Sequence, residues 1–405
     1  MRTVILLLFV TLFSAHNTKG QINSIGHRVY TFNDPTRTGG YGSGGGAGRQ
    51  IETQIYYPSS ASADGDSTAF ASGQYPVLIF GHGFLMVYSA YDNIWKDLVP
   101  QGYIICFPET EGSASPSHTD FGKDLALLQS KMMGLNSTAA SPFYNTMTNK
   151  VAIMGHSMGG GSSFLACAGN SAPTTMVTEA AANTNPSSIV AATQVTIPTL
   201  LLAGQNDCVA PPPANQDSMY LKCAASCKAE VTIKGAAHCE FADKNTYCTF
   251  GESICSPAPT ISAAQQWATA SVYYSAWLKY WLKGDCTAWN TFLDSVNKST
   301  LITGKISCSQ TCSPTSVLNA VNKSGIEIYP TPTNGSFNVS FTTIAGEKAE
   351  LDIFDVFGQQ VYHSGIEQGI NRLSLDGKAS GIYFYRVMTQ DGGKYISEGK
   401  LMLQK

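Results

Sequence analysis

The chain has 405 residues, which is more than one ordinary domain and predicts two or three structural units. Hydrophobic residues make up 43% of it, which is enough for a full core and excludes a globally disordered protein. The formal net charge is −3 and Lys and Arg form no cluster, so the composition gives no electrostatic reason to bind nucleic acid or an anionic membrane.

Residues 1–20 have the pattern of a cleavable secretory signal peptide. Arg2 supplies a basic start, residues 4–13 are an apolar run, and small or polar residues follow from Ser14. The run is too short to span a hydrocarbon layer of about 30 Å, and the alternative is a buried N-terminal helix. No later stretch approaches the ~18 apolar residues of a spanning helix, so we expect a soluble mature chain.

Cysteine usage also fits export. The chain has 11 cysteines, and nine of them lie between Cys208 and Cys312. The odd total leaves at least one without an intrachain partner, and the apolar surroundings of Cys106 and Cys167 predict buried free thiols. No C-x-x-C pair has a matching second pair, so we expect no zinc site.

Along the chain, short apolar runs alternate with helical segments. Residues 21–50 contain the glycine-rich stretch 39–46 and are expected to be irregular. From Ile51 onward the alternation predicts βαβ units, a mostly parallel sheet and therefore an α/β fold. The predicted strands are 50–57, 75–80, 103–107, 150–154, 197–202 and 230–233. The predicted helices are 88–99, 120–133 and 267–282.

The C-terminal part differs in amino-acid composition and pattern. Ser, Thr, Asn and Pro dominate residues 308–323, which predicts a linker. Alternating runs then predict a small all-β, sandwich-like module, with a turn at 329–335 and strands at 336–341, 351–354, 360–363, 372–375 and 382–387. We therefore expect a signal peptide (1–20), a catalytic domain (21–306), a linker (307–323) and an all-β module (324–405).

A candidate nucleophile follows the strand 150–154. Gly155-His156-Ser157-Met158-Gly159 fits G-x-S-x-G, in which glycines on either side of the serine allow a tight strand-to-helix turn. The turn would expose the Ser157 hydroxyl and leave the Met158 N–H at a helix N-terminus, where it can donate to an oxyanion. The alternative is a structural glycine turn.

A second oxyanion donor is expected in the loop after the strand 75–80. That loop reads Gly81-His82-Gly83-Phe84, which makes the Phe84 N–H the candidate. The Phe84 side chain would line the cleft and suit an apolar or aromatic acyl group. An ordinary glycine turn is the alternative.

The acid and the base should follow later strands, in the order Ser…Asp…His. Asp207 is the first carboxylate after the strand 197–202, whereas its rival Asp217 lies in a helical, solvated stretch. His238 follows the strand 230–233. The six other histidines fit less well, because they lie in the signal peptide (His16), before the first strand (His27), in backbone motifs (His82, His156), in a loop (His118) and in the terminal module (His363).

These residues predict acyl transfer through a catalytic triad. His238 would take the Ser157 proton and Asp207 would orient the imidazole, with no metal or cofactor. About 50 positions separate Ser157 from Asp207, which leaves no room for a large cap domain and predicts an open, shallow cleft. If the acid and base loops meet, a disulfide between Cys208 and Cys239 could join them.

Four stretches together resemble a known family. GHSMGGG (155–161), GHGF (81–84), GQNDCVAP (204–211) and GAAH (235–238) are similar to the lidless cutinase and polyester-hydrolase branch of the dienelactone-hydrolase-like α/β-hydrolases, over residues 25–290. The resemblance implies Ser157, Asp207 and His238 as triad, with Phe84 and Met158 as oxyanion donors and substrate contacts. Polyester hydrolases usually carry an A-P-W segment; the corresponding residues 179–186 lack the tryptophan, which argues against strong polyester activity but not against general carboxylesterase activity.

The terminal module has a resemblance of its own. YPTPTNG (329–335), IFDVFGQQV (353–361), Gly381-Ile382-Tyr383 and a final Lys-rich strand resemble the sorting domain of the type IX secretion system. This implies export across both membranes of a Gram-negative cell by that machinery, with later removal or anchoring of the module. The alternative is a substrate-binding β-sandwich appended to an enzyme.

The sequence thus predicts a secreted or cell-surface serine carboxylesterase, monomeric and cutinase-like, that acts on esters and on polyesters such as poly(ethylene terephthalate). One alternative is a small-molecule lipase or acetylhydrolase without polymer activity. Another is an inactive hydrolase fold that serves as a surface adhesion protein.

Overall fold

The computed structural model describes residues 22–243, 245–253, 256–310, 312, 325–342, 348–390 and 395–404. The chain divides into two compact units, the first of which ends at Cys312. The signal peptide predicted at residues 1–20 lies outside the described residues. Within the described part of the chain, no helix has both the length and the apolar character needed to cross a membrane.

The first unit is built on one sheet, to which its described residues contribute 11 strands. The strands are β1 (Ser24–Asp34), β2 (Gly40–Tyr41), β3 (Arg49–Ser59), β4 (Gly65–Asp66), β5 (Tyr75–Gly81), β6 (Ile104–Pro108), β7 (Met147–His156), β8 (Thr175–Glu179), β9 (Thr199–Gly204), β10 (Cys227–Ile233) and β11 (Ile302–Cys308). Their order is β11-β10-β9-β8-β7-β5-β6-β3-β1-β4, with β2 beside β3. From β6 through β5, β7, β8 and β9 to β10 all neighbours are parallel, which confirms the predicted mostly parallel sheet.

Helices cover both faces of this sheet. They are α1 (Asp92–Leu98), α2 (His118–Ser137), α3 (Met158–Cys167), α4 (Ser188–Ala192), α5 (Gln216–Lys222), α6 (Thr246–Glu252), α7 (Ala263–Lys283) and α8 (Cys286–Lys298). Successive strand side chains alternate between faces: Val77 joins the core that contains Phe164 of α3, and Leu78 joins the core that contains Trp277 of α7. Two cores with helices on both sides are the α/β arrangement that the sequence predicts.

Helix α7 shows why some element boundaries can be read from the sequence. Ser262 and Gln265 form a reciprocal capping box at its start, and Gly284, with a φ of +69°, ends it in a left-handed conformation. Between these signals Trp277 is fully buried. The predicted helix 267–282 is therefore confirmed and is longer at its N-terminal end.

Other elements differ from the prediction. Residues 24–34 were expected to be irregular, but they form β1, and each of its residues pairs with β3. Only four residues of β1 are buried, and these are Ser24, Ile25, Gly26 and Phe32. The sequence of β1 therefore lacks the continuous apolar run that predicts a buried strand. His27 accordingly lies within a strand and not before the sheet begins.

The end of the first unit also lies beyond the predicted boundary at residue 306. Strand β11 runs to Cys308 and pairs antiparallel with β10 along the edge of the sheet. Disulfides attach the segment to the rest of the unit at Cys308 and at Cys312. The predicted linker, residues 307–323, overlaps β11 only at Ser307 and Cys308, and its residues 311 and 313–323 lie outside the described residues.

The cysteines pair differently from the expected Cys208–Cys239 bridge. Cys239 is bonded to Cys248, so that prediction is wrong, and Cys208 is itself disulfide-bonded. The other described disulfides are Cys227–Cys308 and Cys286–Cys312. Cys106 and Cys167 are buried free thiols as predicted, and so is Cys223; burial raises the pKa of all three.

The second unit is all-β, as the sequence predicts. Its described strands are β12 (Gly325–Tyr329), β13 (Ser336–Thr342), β14 (Ala349–Phe354), β15 (Gln360–Ile366), β16 (Gly369–Ser374), β17 (Gly381–Thr389) and β18 (Tyr395–Leu403). They form one sheet in the order β12-β13-β16 and another in the order β15-β14-β17-β18. Side chains of both sheets, such as Val339 and Leu351, share one core, which makes the unit sandwich-like.

Candidate active site

The G-x-S-x-G segment forms a strained turn between β7 and α3. Ser157 has a φ of +54° and a ψ of −120°, a conformation that L-residues rarely adopt. A Cβ on Gly159 would lie 2.0 Å from the carbonyl oxygen of Gly81, and one on Gly155 would lie 2.5 Å from the backbone of Gly159. The Ser157 N–H donates to the Glu179 carbonyl oxygen of β8 at 3.0 Å. Steric crowding therefore explains both glycines of the motif.

The structure brings Ser157, His238 and Asp207 into one hydrogen-bonded series. Ser157 Oγ lies 2.8 Å from His238 Nε2, and His238 Nδ1 lies 2.7 Å from Asp207 Oδ2. A carboxylate only accepts hydrogen bonds, so Nδ1 carries the imidazole proton and Nε2 is available to accept the serine proton. The exposed fractions of Ser157, His238 and Asp207 are 8%, 2% and 4%.

The second carboxylate oxygen of the candidate acid accepts hydrogen bonds from the backbone of its own loop. Asp207 Oδ1 accepts from the N–H groups of Val209 at 2.9 Å and Ala210 at 2.7 Å. These bonds fix the carboxylate so that Oδ2 faces His238. The rival Asp217 instead lies in α5 and pairs with Lys305.

The two predicted oxyanion donors lie on neighbouring segments. Met158 is the first residue of α3, and Gly159 beside it packs against the backbone of Gly81 and His82, in the loop that continues to Phe84. Neither the Met158 N–H nor the Phe84 N–H donates to another described residue. The side chain of Phe84 is 46% exposed, whereas that of Met158 is buried.

His82 holds this loop in place through backbone contacts, as the sequence reading expected. Its Nδ1 lies 2.8 Å from the Gly83 carbonyl oxygen, and its Nε2 lies 2.9 Å from that of Thr110. Burial lowers the pKa of His82. The ring is therefore held against the backbone of Gly83 and Thr110.

His156 connects the loop that carries Gly83 and Phe84 with the loop of the candidate base. The Gly83 N–H donates to the Tyr91 hydroxyl at 2.7 Å, and that hydroxyl lies 3.0 Å from His156 Nδ1. His156 Nε2 lies 3.0 Å from the carbonyl oxygen of His238. A carbonyl can only accept, so Nε2 carries the proton and Nδ1 accepts from Tyr91.

This arrangement requires a neutral His156. Burial, and then the neighbouring His238, hold the pKa of His156 well below its usual value, while the hydrogen bond to the His238 carbonyl acts in the opposite direction. Sequence reasoning assigned His156 to a backbone motif and did not identify Tyr91. The contacts join residues 65 and 82 positions apart, and such pairs leave no local signal.

A buried carboxylate contacts the backbone of His238 from the other side. Glu252, at the end of α6, accepts from the N–H of His238 and, at 3.2 Å, from that of Cys239. Burial, and next the neighbouring carboxyl of Glu240, raise the pKa of Glu252 to about 7. Sequence reasoning missed this residue; the available signal was the pair Cys239 and Cys248, which closes a short loop directly after the candidate base.

A second unusual carboxylate, Glu179, lies at the end of β8 beside His156 in the sheet register. It is fully buried, and its Oε2 has no hydrogen-bond partner among the described residues. Burial, and then Asp97, raise the pKa of Glu179 to about 8. The side chain is therefore neutral at pH 7.

Glu179 should make the folded state less stable as the pH rises. Its carboxyl stays protonated in the folded chain up to about pH 8 but ionises near its ordinary pKa of 4.5 in the unfolded chain. Stability is therefore lost progressively between those values. We expect Glu179→Gln to raise the melting temperature at pH 9 relative to the unchanged chain by more than it does at pH 5, measured by differential scanning calorimetry.

The prediction is contradicted if Glu179→Gln shifts the melting temperature by the same amount at pH 5 and pH 9, because the carboxyl then does not titrate in this way.

The loop that lacks the tryptophan is held by polar contacts. The Asn183 N–H donates to the Asn215 side chain at 2.8 Å, and the Asn185 N–H lies 3.2 Å from Nδ1 of His118. His118 is the first residue of α2, not a loop residue as expected. Among the described residues, no group of three or more His, Cys, Asp or Glu side chains could hold a metal ion.

Comparison with known families agrees with this architecture. Residues 27–313, more than half of the chain, match the family described as PET hydrolase-like. The chain belongs to this family. The match contains Ser157, Asp207 and His238, and it makes the PET hydrolase-like unit a hydrolase of the esterase type. No curated protein matches the chain.

The second unit of this PET hydrolase-like protein also has a family. Residues 327–402 match the secretion system C-terminal sorting domain. The resemblance to the type IX sorting domain is thereby confirmed. Such a domain directs the chain to the secretion machinery and hence to the cell surface or the medium.

Proposed function

We propose that this PET hydrolase-like protein is a secreted serine carboxylesterase with Ser157 as nucleophile, His238 as general base and Asp207 as the residue that orients the base. The observation that carries the proposal is the series of hydrogen bonds of 2.8 Å and 2.7 Å that joins the three side chains. Each of them comes from a loop at the carboxyl edge of the parallel sheet, after β7, β9 and β10.

The chemistry follows from the protonation states. The bare Nε2 of His238 takes the proton of Ser157 as Oγ attacks the ester carbonyl, and Asp207 stabilises the resulting imidazolium. The N–H groups of Phe84 and Met158 would hold the oxyanion. The imidazolium then protonates the leaving alcohol, and water cleaves the acyl-enzyme by the same steps in reverse.

A covalent probe tests this proposal directly. A fluorophosphonate should label the protein once per chain, map to the peptide that contains Ser157, and abolish hydrolysis of p-nitrophenyl butyrate in proportion to labelling. An inactive fold with an adhesive role would show neither labelling nor turnover. Labelling at a different serine with parallel loss of activity would refute the assignment of Ser157.

The substrate class is an ester with an apolar or aromatic acyl group, presented on a small molecule or a polymer. The family and the exposed ring of Phe84 support polyesters such as poly(ethylene terephthalate). The loop at residues 183–186, however, consists of Asn, Thr, Asn and Pro and offers no indole to stack on an aromatic unit. That loop favours the second candidate, a small-molecule esterase with little polymer activity.

Paired assays separate these two candidates. We expect rapid turnover of p-nitrophenyl butyrate and slow release of soluble product from poly(ethylene terephthalate) film. Phe84→Ala keeps the backbone N–H but removes the aromatic contact, which is worth about 0.5–1.5 kcal/mol, so release from film should fall up to about 10-fold. Turnover of the small ester should change less, and equal losses on both substrates would contradict a polymer contact at Phe84.

The sorting domain supports a role outside the cell. The proposed route begins with the signal peptide (1–20) and continues through the type IX machinery, which recognises residues 324–405. Removal of that module would leave the catalytic domain (21–306) with the segment that continues to Cys312. The mature enzyme is proposed to act as a monomer without a cofactor.

A further inference from the structure

The backbone of His238 is held at both its carbonyl and its N–H by side chains that are not part of the triad. Its carbonyl oxygen accepts from Nε2 of His156 at 3.0 Å, and its N–H donates to the carboxyl of Glu252. Asp207 orients the imidazole ring, but the position of the ring relative to Ser157 also depends on where the backbone of His238 lies.

Glu252 is positioned by the loop that the Cys239–Cys248 disulfide closes. The Cys239–Cys248 disulfide ties the residue after His238 to helix α6. Glu252 comes about one helical turn after Cys248, so the carboxyl and the disulfide lie on the same side of α6. The Asn245 side chain caps the helix by accepting from the N–H groups of Tyr247 and Cys248.

Burial of the Glu252 carboxyl costs free energy of folding. The residue is 8% exposed, and the partners shown for its carboxyl are the N–H groups of His238 and Cys239 and the acidic side chain of Glu240. An apolar side chain could fill the same space without the cost of desolvating a carboxyl. What it could not do is accept hydrogen bonds from the backbone at His238.

We propose that Glu252 is a positioning residue of the esterase, which sets the distance between His238 and Ser157 by accepting hydrogen bonds from the backbone N–H groups of His238 and Cys239. The inference rests on the proposed function. Without an acceptor, two buried N–H groups lose their hydrogen-bond partners, and the loop moves to hydrate them. A displacement of about 1 Å is enough to cost ~10²-fold in rate.

Two substitutions distinguish the acceptor from the bulk of the side chain. Glu252→Leu removes the acceptor, whereas Glu252→Gln keeps an oxygen for both N–H groups and can donate its amide to Glu240. With p-nitrophenyl butyrate we expect Glu252→Leu to lower kcat by about 10²-fold with KM within about threefold. Glu252→Gln should retain kcat within about threefold.

Glu230 offers a matched control. It is a fully buried carboxylate of the same unit, and burial is the main cause that raises its pKa to about 7. It pairs with Lys305 on the outer part of the sheet, away from the triad. Glu230→Leu should lower the melting temperature and leave kcat unchanged. A fall in kcat equal to that of Glu252→Leu would overturn the proposal, because any buried carboxylate would then have the same effect.

Removal of the Cys239–Cys248 disulfide provides a test that leaves every carboxyl unchanged. Cys239→Ser with Cys248→Ser frees α6 from the residue after His238 and should lower kcat about 10-fold at constant KM. This variant also serves if Glu252→Leu does not fold. An unchanged kcat in the folded variants, or an equal loss in Glu252→Gln and Glu252→Leu, would overturn the proposal.

Failure of the underlying function is recognised separately. If the unchanged protein neither reacts with the fluorophosphonate nor hydrolyses the ester, the esterase proposal fails. If it does both and only the Glu252 variants behave like the unchanged protein, the serine mechanism stands and the positioning role is wrong.

Discussion

Ser157→Ala should abolish hydrolysis of short p-nitrophenyl esters, with kcat/KM falling by about 10⁴-fold or more. The hydroxyl is the atom that attacks, and alanine leaves His238 without a proton to accept. Residual catalysis would come from the oxyanion donors and from substrate binding alone. Initial rates with p-nitrophenyl butyrate, measured alongside the melting temperature, provide the check.

Ser162 supplies the matched control for this prediction. It is fully buried one turn further along α3, and its hydroxyl has no hydrogen-bond partner among the described residues. Ser162→Ala should keep full activity. The nucleophile assignment is refuted if folded Ser157→Ala retains more than about one hundredth of the original rate, since the loss expected for a nucleophile is far larger.

Asp207→Asn should lower kcat by about 10⁴-fold while the protein stays folded. The asparagine amide can donate to Nδ1 of His238, which would move the imidazole proton to Nε2. That nitrogen lies 2.8 Å from the Ser157 hydroxyl and could then no longer accept its proton. KM should change little, because the carboxylate lies behind the imidazole.

Asp217→Asn tests the alternative acid on the same assay. Asp217 forms an ion pair with Lys305 at a partly exposed site, and loss of such a pair costs about 0–1 kcal/mol. Its activity should match that of the unchanged protein. The reverse pattern, with Asp217→Asn inactive and Asp207→Asn active, would exchange the two assignments.

Much of the architecture could be predicted from local patterns. Strands β5, β6 and β9 are buried throughout and β7 is buried from Val151 to its end, and their apolar runs identify them without knowledge of their neighbours. Strand β8 escaped prediction because Thr175, Thr178 and Glu179 interrupt its apolar residues although all three are buried. The Thr175 hydroxyl donates to the carbonyl oxygen of Pro198 and accepts from the indole N–H of Trp277, and neither partner can be read from the strand itself.

The pairing of cysteines could not be predicted for a related reason. Cys208 and Cys239 each follow a residue of the proposed triad, which made their pairing plausible. The sequence after His238, however, folds back as α6 and presents Cys248 to Cys239 only nine positions later. Cys239 and Cys248 need to close only a short loop, which costs little chain entropy. Cysteines in two loops that merely lie near each other have no such advantage.

The sequence by itself determined the candidate nucleophile, acid and base, because each depends on a local requirement. Two glycines are needed where the backbone of Ser157 turns, and Asp207 and His238 are the first suitable side chains after their strands. Only the tertiary structure decided how His238 is held. The contacts of its peptide with His156 and Glu252, and of His156 with Tyr91, form between elements that are distant in sequence and that meet only when the sheet and helices have packed.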